Sequence, residues 1–429
     1  MKIIHSFWSK PAFHSNQNHD NARKFGGWLN YKYFLYSTCF SCLTLKRHHK
    51  KIDLFTDDKG ADIFINQLNL PYDNVSLLLN DLAEEDHRLW VLGKLKTIAA
   101  QQEPFMHIDN DVYLWREIPT DYSHPYLIAQ SQLLMPTPYR NALNEVFEHF
   151  DHIPSCLLVK PTPQTKIANI GIIGGNDLGF FQEYCATAYT FLENNKEKLP
   201  QINIGFFNQI LDEYLFTCLA NEKEFPVQCL INDPYDDKEM LAVLRFHLVP
   251  VFDKYIHLVG IAKQNVMACE QLELRFEYEF PQEYKAISAV IKEIDPSLIN
   301  ADSTLIHERK EKLTTAIHKL YTCTLPELQN LKIKLRDDVK IVELKGEDNL
   351  NSAYGISFTD TITKEEVHRE LSGADGILAY FDSPLSMQEL LEELTQNLGS
   401  NNPQLEQQKF KLIDIITEKI MIDGILEFV

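Results

Sequence analysis

The chain has 429 residues, 45% of them hydrophobic and 24% charged, with a formal net charge of −20. That length exceeds one ordinary domain and implies two or three units with a substantial core, while no apolar run reaches the roughly 18 residues that a membrane helix needs. So acidic a composition argues against a surface that grips nucleic acid or anionic lipid as a whole, because both are held by basic clusters; any bound phosphate has to be met locally. The opening apolar stretch is too short for a secretory signal and runs into folded-looking sequence, which implies a cytoplasmic protein. Lys2 to Trp8 reads as a strand, residues 31–47 as a buried helix, Ile52 to Thr56 as a strand stopped by Asp57-Asp58-Lys59-Gly60, and Ala61 to Leu68 as helical. Cys39 and Cys42 form a C-x-x-C pair inside the helix at 31–47, and with no second pair to complete a zinc site they read as core packing.

Leu89 to Ala100 is a further helix, and Pro104 to Ile108 a strand that delivers Asp109. Short apolar runs alternating with helical patterns predict an α/β sheet with crossover helices. Further strands are expected at Tyr126–Ala129, Cys156–Val159, Ile170–Ile173 and Gln228–Ile231, and the sheet region closes near Phe280-Pro281. Residues 283–335 turn helical and charged, with Pro296 and Pro326 as breaks, and read as a linker. The last hundred residues differ in pattern. VKIVELKG and YGISFTD predict a small hairpin or ribbon, followed by short helices near 374–381, 386–398 and 407–423. Ser386 and Glu389 have capping-box spacing at the start of the second helix, and Gly424 stops the third. Leu378, Phe381, Leu390, Leu394, Leu412, Ile416 and Ile420 recur at helical spacing and are expected to form this region's own core. Strands followed by three short helices predict a winged-helix-like α+β module. The domain boundaries expected from these patterns are 1–282, 283–335 and 336–429.

Two clusters carry chemistry. Asp109-Asn110-Asp111 stands where a buried strand surfaces, and two carboxylates there either form an exposed turn or are satisfied by a cation. Strand ends are where open α/β sheets bind ligands, and Mg²⁺ or Mn²⁺ suits oxygen ligands shared with phosphate. The second cluster, His257, Gly260 and Lys263 in H-x-x-G-x-x-K, offers an imidazole ligand, a close backbone approach and a point charge for phosphate. Lys94, on the helix before the D-x-D strand, reads on residue type alone as a solvated helix residue. Trp8, at the end of the first strand, reads on residue type alone as a core or rim tryptophan. The turn Gly174-Gly175-Asn176-Asp177 reads as structural, with Asn176 or Asp177 as the alternative acceptor contact.

On these motifs, residues 1 to about 280 resemble the nucleotide-sugar glycosyltransferases of the GT-A type, especially the glycogenin-like and lipopolysaccharide-galactosyltransferase-like group. HSFWSKP and LFTDDKG also resemble a bacterial group of GT-A-like proteins. The resemblance implies a GT-A mixed sheet flanked by helices, with Asp109, Asp111 and His257 as metal ligands and Trp8, Lys94, Asp109, Gly171, Gly260 and Lys263 binding the nucleoside diphosphate sugar. Asn169-Ile170-Gly171-Ile172 is similar to the family's N-x-G-V segment and Asp212-Glu213 to its D-Q pair, which implies catalytic roles for Asn169, Asp212 and Glu213. Gln264-Asn265 stand where the family often has Pro-Trp, and Glu213 where it has Gln. The C-terminal order of strands and helices resembles the peptide-recognition modules attached to enzymes that modify ribosomally made peptides. The implied function is metal-dependent transfer of a hexose from a nucleoside diphosphate sugar to an acceptor, with a peptide or protein as the acceptor class that the C-terminal module suggests. The alternative is a non-catalytic nucleotide-sugar-binding or scaffold protein. A nucleotidyltransferase is disfavoured because HSFWSKPAFHSNQ lacks a basic Gly-rich loop.

Overall fold

The computed structural model describes residues 1–14, 21–118, 126–230, 246, 249, 255–299, 304–345, 352–359, 365–371, 373–398, 405–421 and 424–429. These residues divide into two compact units, 1–244 with 255–266 and 245–254 with 267–429.

The first unit is built on a seven-stranded sheet in the order β3-β2-β1-β4-β7-β6-β8. Its strands are β1 (Lys2–Phe7), β2 (Ile52–Thr56), β3 (Asn74–Ser76), β4 (Phe105–Ile108), β6 (Leu127–Leu134), β7 (Lys166–Gly175) and β8 (Val227–Cys229). β1, β2, β3 and β4 are mutually parallel, β7 runs antiparallel to β4 and β6, and β6 is parallel to β8. Two short strands, β5 (Val112–Leu114) and β9 (Tyr255–His257), pair antiparallel beside it. This is the expected mixed α/β sheet flanked by helices. β2 and β4 are buried throughout and β1 at its central positions, as strands covered on both faces are.

The helix Tyr31–His48 starts where the Asn30 side chain accepts from Tyr33 N, and its face from Tyr33 to Leu45 is buried. Cys39 and Cys42 lie within that buried face, and burial pushes the Cys42 thiol up to about 12; a thiol held neutral is a packing group. Trp8 is 6% exposed and joins the main core with Leu79, Val91 and Leu92. The strand expected at Cys156–Val159 is instead a tight turn, Ser155–Leu157, with Leu158 and Val159 60% and 77% exposed. Pro154 and Pro161 bracket this apolar run and supply no N–H for a ladder, which explains the misreading. The strand expected at Gln228–Ile231 is β8, with Ile231 outside the described residues.

The second unit contains helices Val266–Glu279, Pro281–Ile294, Thr304–Thr322 and Leu325–Asn330, followed by two three-stranded sheets. β10 (Lys332–Leu335) lies between β14 (Leu385–Ser386) and β15 (Leu426–Phe428), and β12 (Ser352–Thr359) lies between β11 (Lys340–Lys345) and β13 (Glu366–Glu370). The expected ribbon thus gains a third strand; Gly346 lies outside the described residues. Helices Met387–Leu398 and Leu405–Met421 follow, preceded by a kinked 3₁₀ segment over Gly373–Asp382. Residues 422 and 423, the end expected for the last helix, lie outside the described residues. The capping box is reciprocal, since Ser386 N donates to Glu389 Oε2 at 2.7 Å and Glu389 N to Ser386 Oγ at 3.2 Å. Leu378, Phe381, Leu390, Leu412, Ile416 and Ile420 form one core with Leu313, Ile317 and Leu320 of the Thr304–Thr322 helix, and Leu394 packs against it.

Candidate metal centre

β4 ends at Ile108, and the chain turns back at once into β5, with Val112 N donating to Asp109 O at 3.1 Å. This tight return sets Asp109 and Asp111 on one side of the strand end. Asp109 N donates to Gly171 O at 2.8 Å, which ties the turn to the middle of β7. The register of β5 against β9 puts Val112 opposite His257, and Leu258 N donates to Asp111 O at 3.1 Å. One ligand atom each from Asp109, Asp111 and His257 lies within 4.8 Å of the others.

Two lysines flank this trio. Lys263 reaches Asp111 Oδ2 at 2.5 Å, from a 3₁₀ turn over Gly260–Gln264 whose first residue has φ +50°. That turn is fixed by Leu29 N donating to Lys263 O at 3.0 Å and by Gln264 Nε2 donating to Gly27 O at 2.7 Å. Lys94 lies on the other side, 6% exposed, and its Nζ meets Asp109 and Asp212 at 3.2 Å each and donates to Ile170 O at 2.8 Å. Burial lowers the affinity of Lys94 for its proton, but Asp109 and Asp212 outweigh that and hold it above the ordinary lysine value. Asp111 is pushed up by burial, yet the Lys263 ammonium, foremost among its neighbours, more than offsets this and keeps it well below the usual carboxylate range.

Asp212 and Glu213 sit in a π-turn, Ile210–Tyr214, inside a helical run, both buried. Such turns recur at functional sites because they re-aim side chains. Burial, then the neighbouring Asp212, raise Glu213 to about 8, so its carboxyl is largely protonated at neutral pH. Asn169 accepts from Gly171 N at 3.0 Å. A Cβ at Gly171 would fall 2.3 Å from His257 Cε1 and 2.5 Å from both His257 Nδ1 and Gln130 Oε1; only glycine leaves room for that ring. Asn176 accepts from Tyr126 N at 2.9 Å and Asp177 from Phe180 N at 2.8 Å, so both are engaged in the turn and in capping the next helix.

The structure therefore gathers Lys94, Asp109, Asp111, Gly171, Asp212, His257 and Lys263 at one end of the sheet, and it packs Trp8 into the core. The donor set fits a hard divalent cation: two carboxylates and an imidazole converge, and Asp111 Oδ1 is buried without a hydrogen-bond partner among the described residues. Three residues near the trio escape sequence reading. Gln130 Oε1 lies 2.8 Å from His257 Nδ1, His107 Nδ1 lies 3.6 Å from Asp109 Oδ1, and Ser6 Oγ lies 2.7 Å from His107 Nε2. Each lies inside an apolar strand run, where no sequence signal separates a site residue from a satisfied core polar group.

The class so defined is a mixed α/β protein with a paired-aspartate and histidine cluster at a strand end. The chain belongs to the family of unknown function DUF6734, whose match spans residues 1–290. No curated protein matches it. Among solved structures, the apo form of mouse xyloside xylosyltransferase 1 is similar at 9% identity, covering 53% of this chain and 84% of that one, with a TM-score of 0.29. The glycosyltransferase GlyE of Streptococcus pneumoniae TIGR4 is similar at 10% identity, covering 71% and 66%, with a TM-score of 0.28. Likenesses this distant carry no weight for activity.

Proposed function

We propose that the chain is a metal-dependent glycosyltransferase of the GT-A type, moving a hexose from a nucleoside diphosphate sugar to an acceptor. The observation that carries this reading is the convergence of Asp109, Asp111 and His257 within 4.8 Å, with Lys263 2.5 Å from Asp111. Asp109, Asp111 and His257 would hold Mn²⁺ or Mg²⁺, which when bound supplies Lewis-acid charge to a diphosphate leaving group. Lys263 adds a compact positive charge beside that diphosphate. Lys94 locks Asp109 to Asp212, so that the metal side and the sugar side of the site keep one geometry. Glu213, neutral at pH 7, donates a hydrogen bond to a sugar hydroxyl, and Asp212 or Asn169 offers an oxygen to the electron-poor anomeric carbon or to the acceptor's proton. Gly260 lets the backbone approach the donor closely, while Gly171 makes room for the His257 ring.

In this reading the unit 1–244 with 255–266 binds the donor, and the second unit, where the Thr304–Thr322 helix shares one core with the last hundred residues instead of linking to them, forms a winged-helix-like module that holds a peptide acceptor. Support for the last part is the three-stranded antiparallel sheet with β11 and β13 at its edges, since an edge strand can pair with an extended peptide.

The test is donor hydrolysis with water as acceptor across a panel of nucleoside diphosphate hexoses, with MnCl₂ or with EDTA. Wild-type protein should release nucleoside diphosphate only with metal, and Asp111→Ala should release none. Release that persists in EDTA, or an Asp111→Ala rate equal to wild type, would overturn the metal-dependent reading.

A further inference from the structure

We propose that Gln130 is a positioning residue for the metal centre, whose amide oxygen fixes the tautomer and plane of His257 so that Nε2 presents a lone pair to the ion. This rests on the metal reading above and extends it to a residue outside every recognised motif.

Gln130 is 4% exposed. It sits on β6 where the register against β7 slips between Ala129 and Ser131, so an irregularity of the strand falls on this one residue. Bulges of this kind re-aim a single side chain and are common next to active sites. Here the re-aimed amide places Oε1 2.8 Å from His257 Nδ1. An amide oxygen only accepts, so Nδ1 carries the proton and Nε2 is left with its lone pair. Nε2 lies 3.3 Å from Asp111 Oδ1, and that oxygen has no hydrogen-bond partner among the described residues. Two acceptors held face to face repel each other, and a cation beside both relieves this. With the opposite tautomer, Nε2–H would donate to Asp111 and close the pair as an ordinary buried hydrogen bond, leaving no ligand on the ring. Gln130 thus decides whether His257 is a ligand or a core histidine.

Gly171 completes the device from the neighbouring strand. It provides the slot for the imidazole and the amide, because a Cβ there would lie within 2.5 Å of both. One acceptor on β6, one slot on β7 and one ring on β9 orient a single lone pair. Partners of this kind behind a metal-bound histidine typically change metal affinity about 10–100-fold when removed.

The experiment uses the whole 429-residue chain and follows Mn²⁺ binding by EPR of the free ion. Gln130→Leu keeps the volume and removes the acceptor, and it should weaken Mn²⁺ binding about 10-fold or more. Gln130→Glu accepts the same N–H with a more basic oxygen and should tighten it. In a His257→Ala background neither substitution should change the affinity further, because the effect runs through the ring. A Gln130→Leu protein that binds Mn²⁺ within twofold of wild type, or an equal loss in both backgrounds, would overturn the proposal. Should Gln130→Leu fail to fold, the glutamate variant carries the test alone: tightening only when His257 is present supports the proposal, and equal tightening in both backgrounds, or none, defeats it. Failure of the metal reading looks different, because wild type, Asp111→Ala and His257→Ala would then share the same weak Mn²⁺ uptake, and Gln130 would fall with it.

Discussion

Carboxylates meet two fates in this chain. In the first unit Asp111, Asp212 and Glu213 are 8%, 4% and 7% exposed and are drawn together with Lys94 and Lys263 at one end of the sheet. In the second unit the side chains of Asp337, Asp338 and Glu389 are 87%, 43% and 45% exposed and pair with Lys334, Arg336 and Lys332 at the surface. The residue types are the same; the dielectric around them is not. Water screens the surface pairs and leaves them little net energy. In the buried cluster each charge has lost its hydration and depends on its partners, so geometry there is fixed and proton affinities move. The comparison teaches that the acidic composition says nothing about the site until burial is known.

The largest effect should come from breaking the buried pairing. Lys94→Met removes the ammonium that bridges Asp109 and Asp212 and keeps the side-chain volume. It leaves the Asp212 carboxylate buried without its lysine, and loss of one partner from a buried pair costs about 3–5 kcal/mol. Urea unfolding of the whole 429-residue chain should show a loss of that order together with loss of donor hydrolysis. A change below about 1 kcal/mol would mean that water reaches Asp212 and that the cluster is less desolvated than its exposure implies.

A smaller effect, visible as a dependence on pH, should come from Glu213. Its folded value near 8 stands above the ordinary 4.5 of the unfolded chain. Between those values the folded protein holds a proton that the unfolded chain has released, so the contribution to stability is complete below about pH 4.5 and fades as the pH rises through 8. Glu213→Gln is neutral at every pH and removes that slope. The difference in unfolding free energy, variant minus wild type, should therefore climb from pH 5 to pH 8, on the order of a few kcal/mol at about 1.4 kcal/mol per unit. Parallel stability curves for the two proteins would show that Glu213 is ionised in the fold and does not act as a neutral donor.

Much of the scaffold was legible because it rests on local pattern. The strand that delivers Asp109, the helix over 31–47, the capping box at Ser386 and the glycine stop at Gly424 are each written in consecutive residues. The H-x-x-G-x-x-K spacing picked out His257 and Lys263 for the same reason. What escaped depends on contacts between distant segments. Val112–Leu114 and Tyr255–His257 are each three residues long, and only their pairing makes them a sheet that sets Asp111 beside His257. Gln130 owes its role to an irregularity of strand register, which composition does not encode. Beyond the stop at Gly424 the last residues carry no strand signal, yet Leu426–Phe428 pair with Ile333–Leu335. The apolar run at 156–159 misled because a hydrophobic residue is not obliged to be buried.

The smallest effect serves as the control for the comparison. Lys332 Nζ lies 2.6 Å from Glu389 Oε2, with both side chains nearly half exposed. Lys332→Met is the same substitution as Lys94→Met, made where water can replace the lost partner. Glu389 keeps its hydrogen bond from Ser386 N at 2.7 Å, so the cap of the Met387–Leu398 helix survives and no buried group is orphaned. The expected result is a melting temperature within about 1 °C of wild type, because an exposed pair gains little over its separate hydrated ions. Raising the salt from 0.05 to 0.5 M, in round figures of about those values, should shrink even that difference by screening. Two identical substitutions would then differ in effect through burial alone. A loss at Lys332 comparable to that at Lys94 would remove the contrast and show that the second unit depends on its surface charges as closely as the first depends on its buried ones.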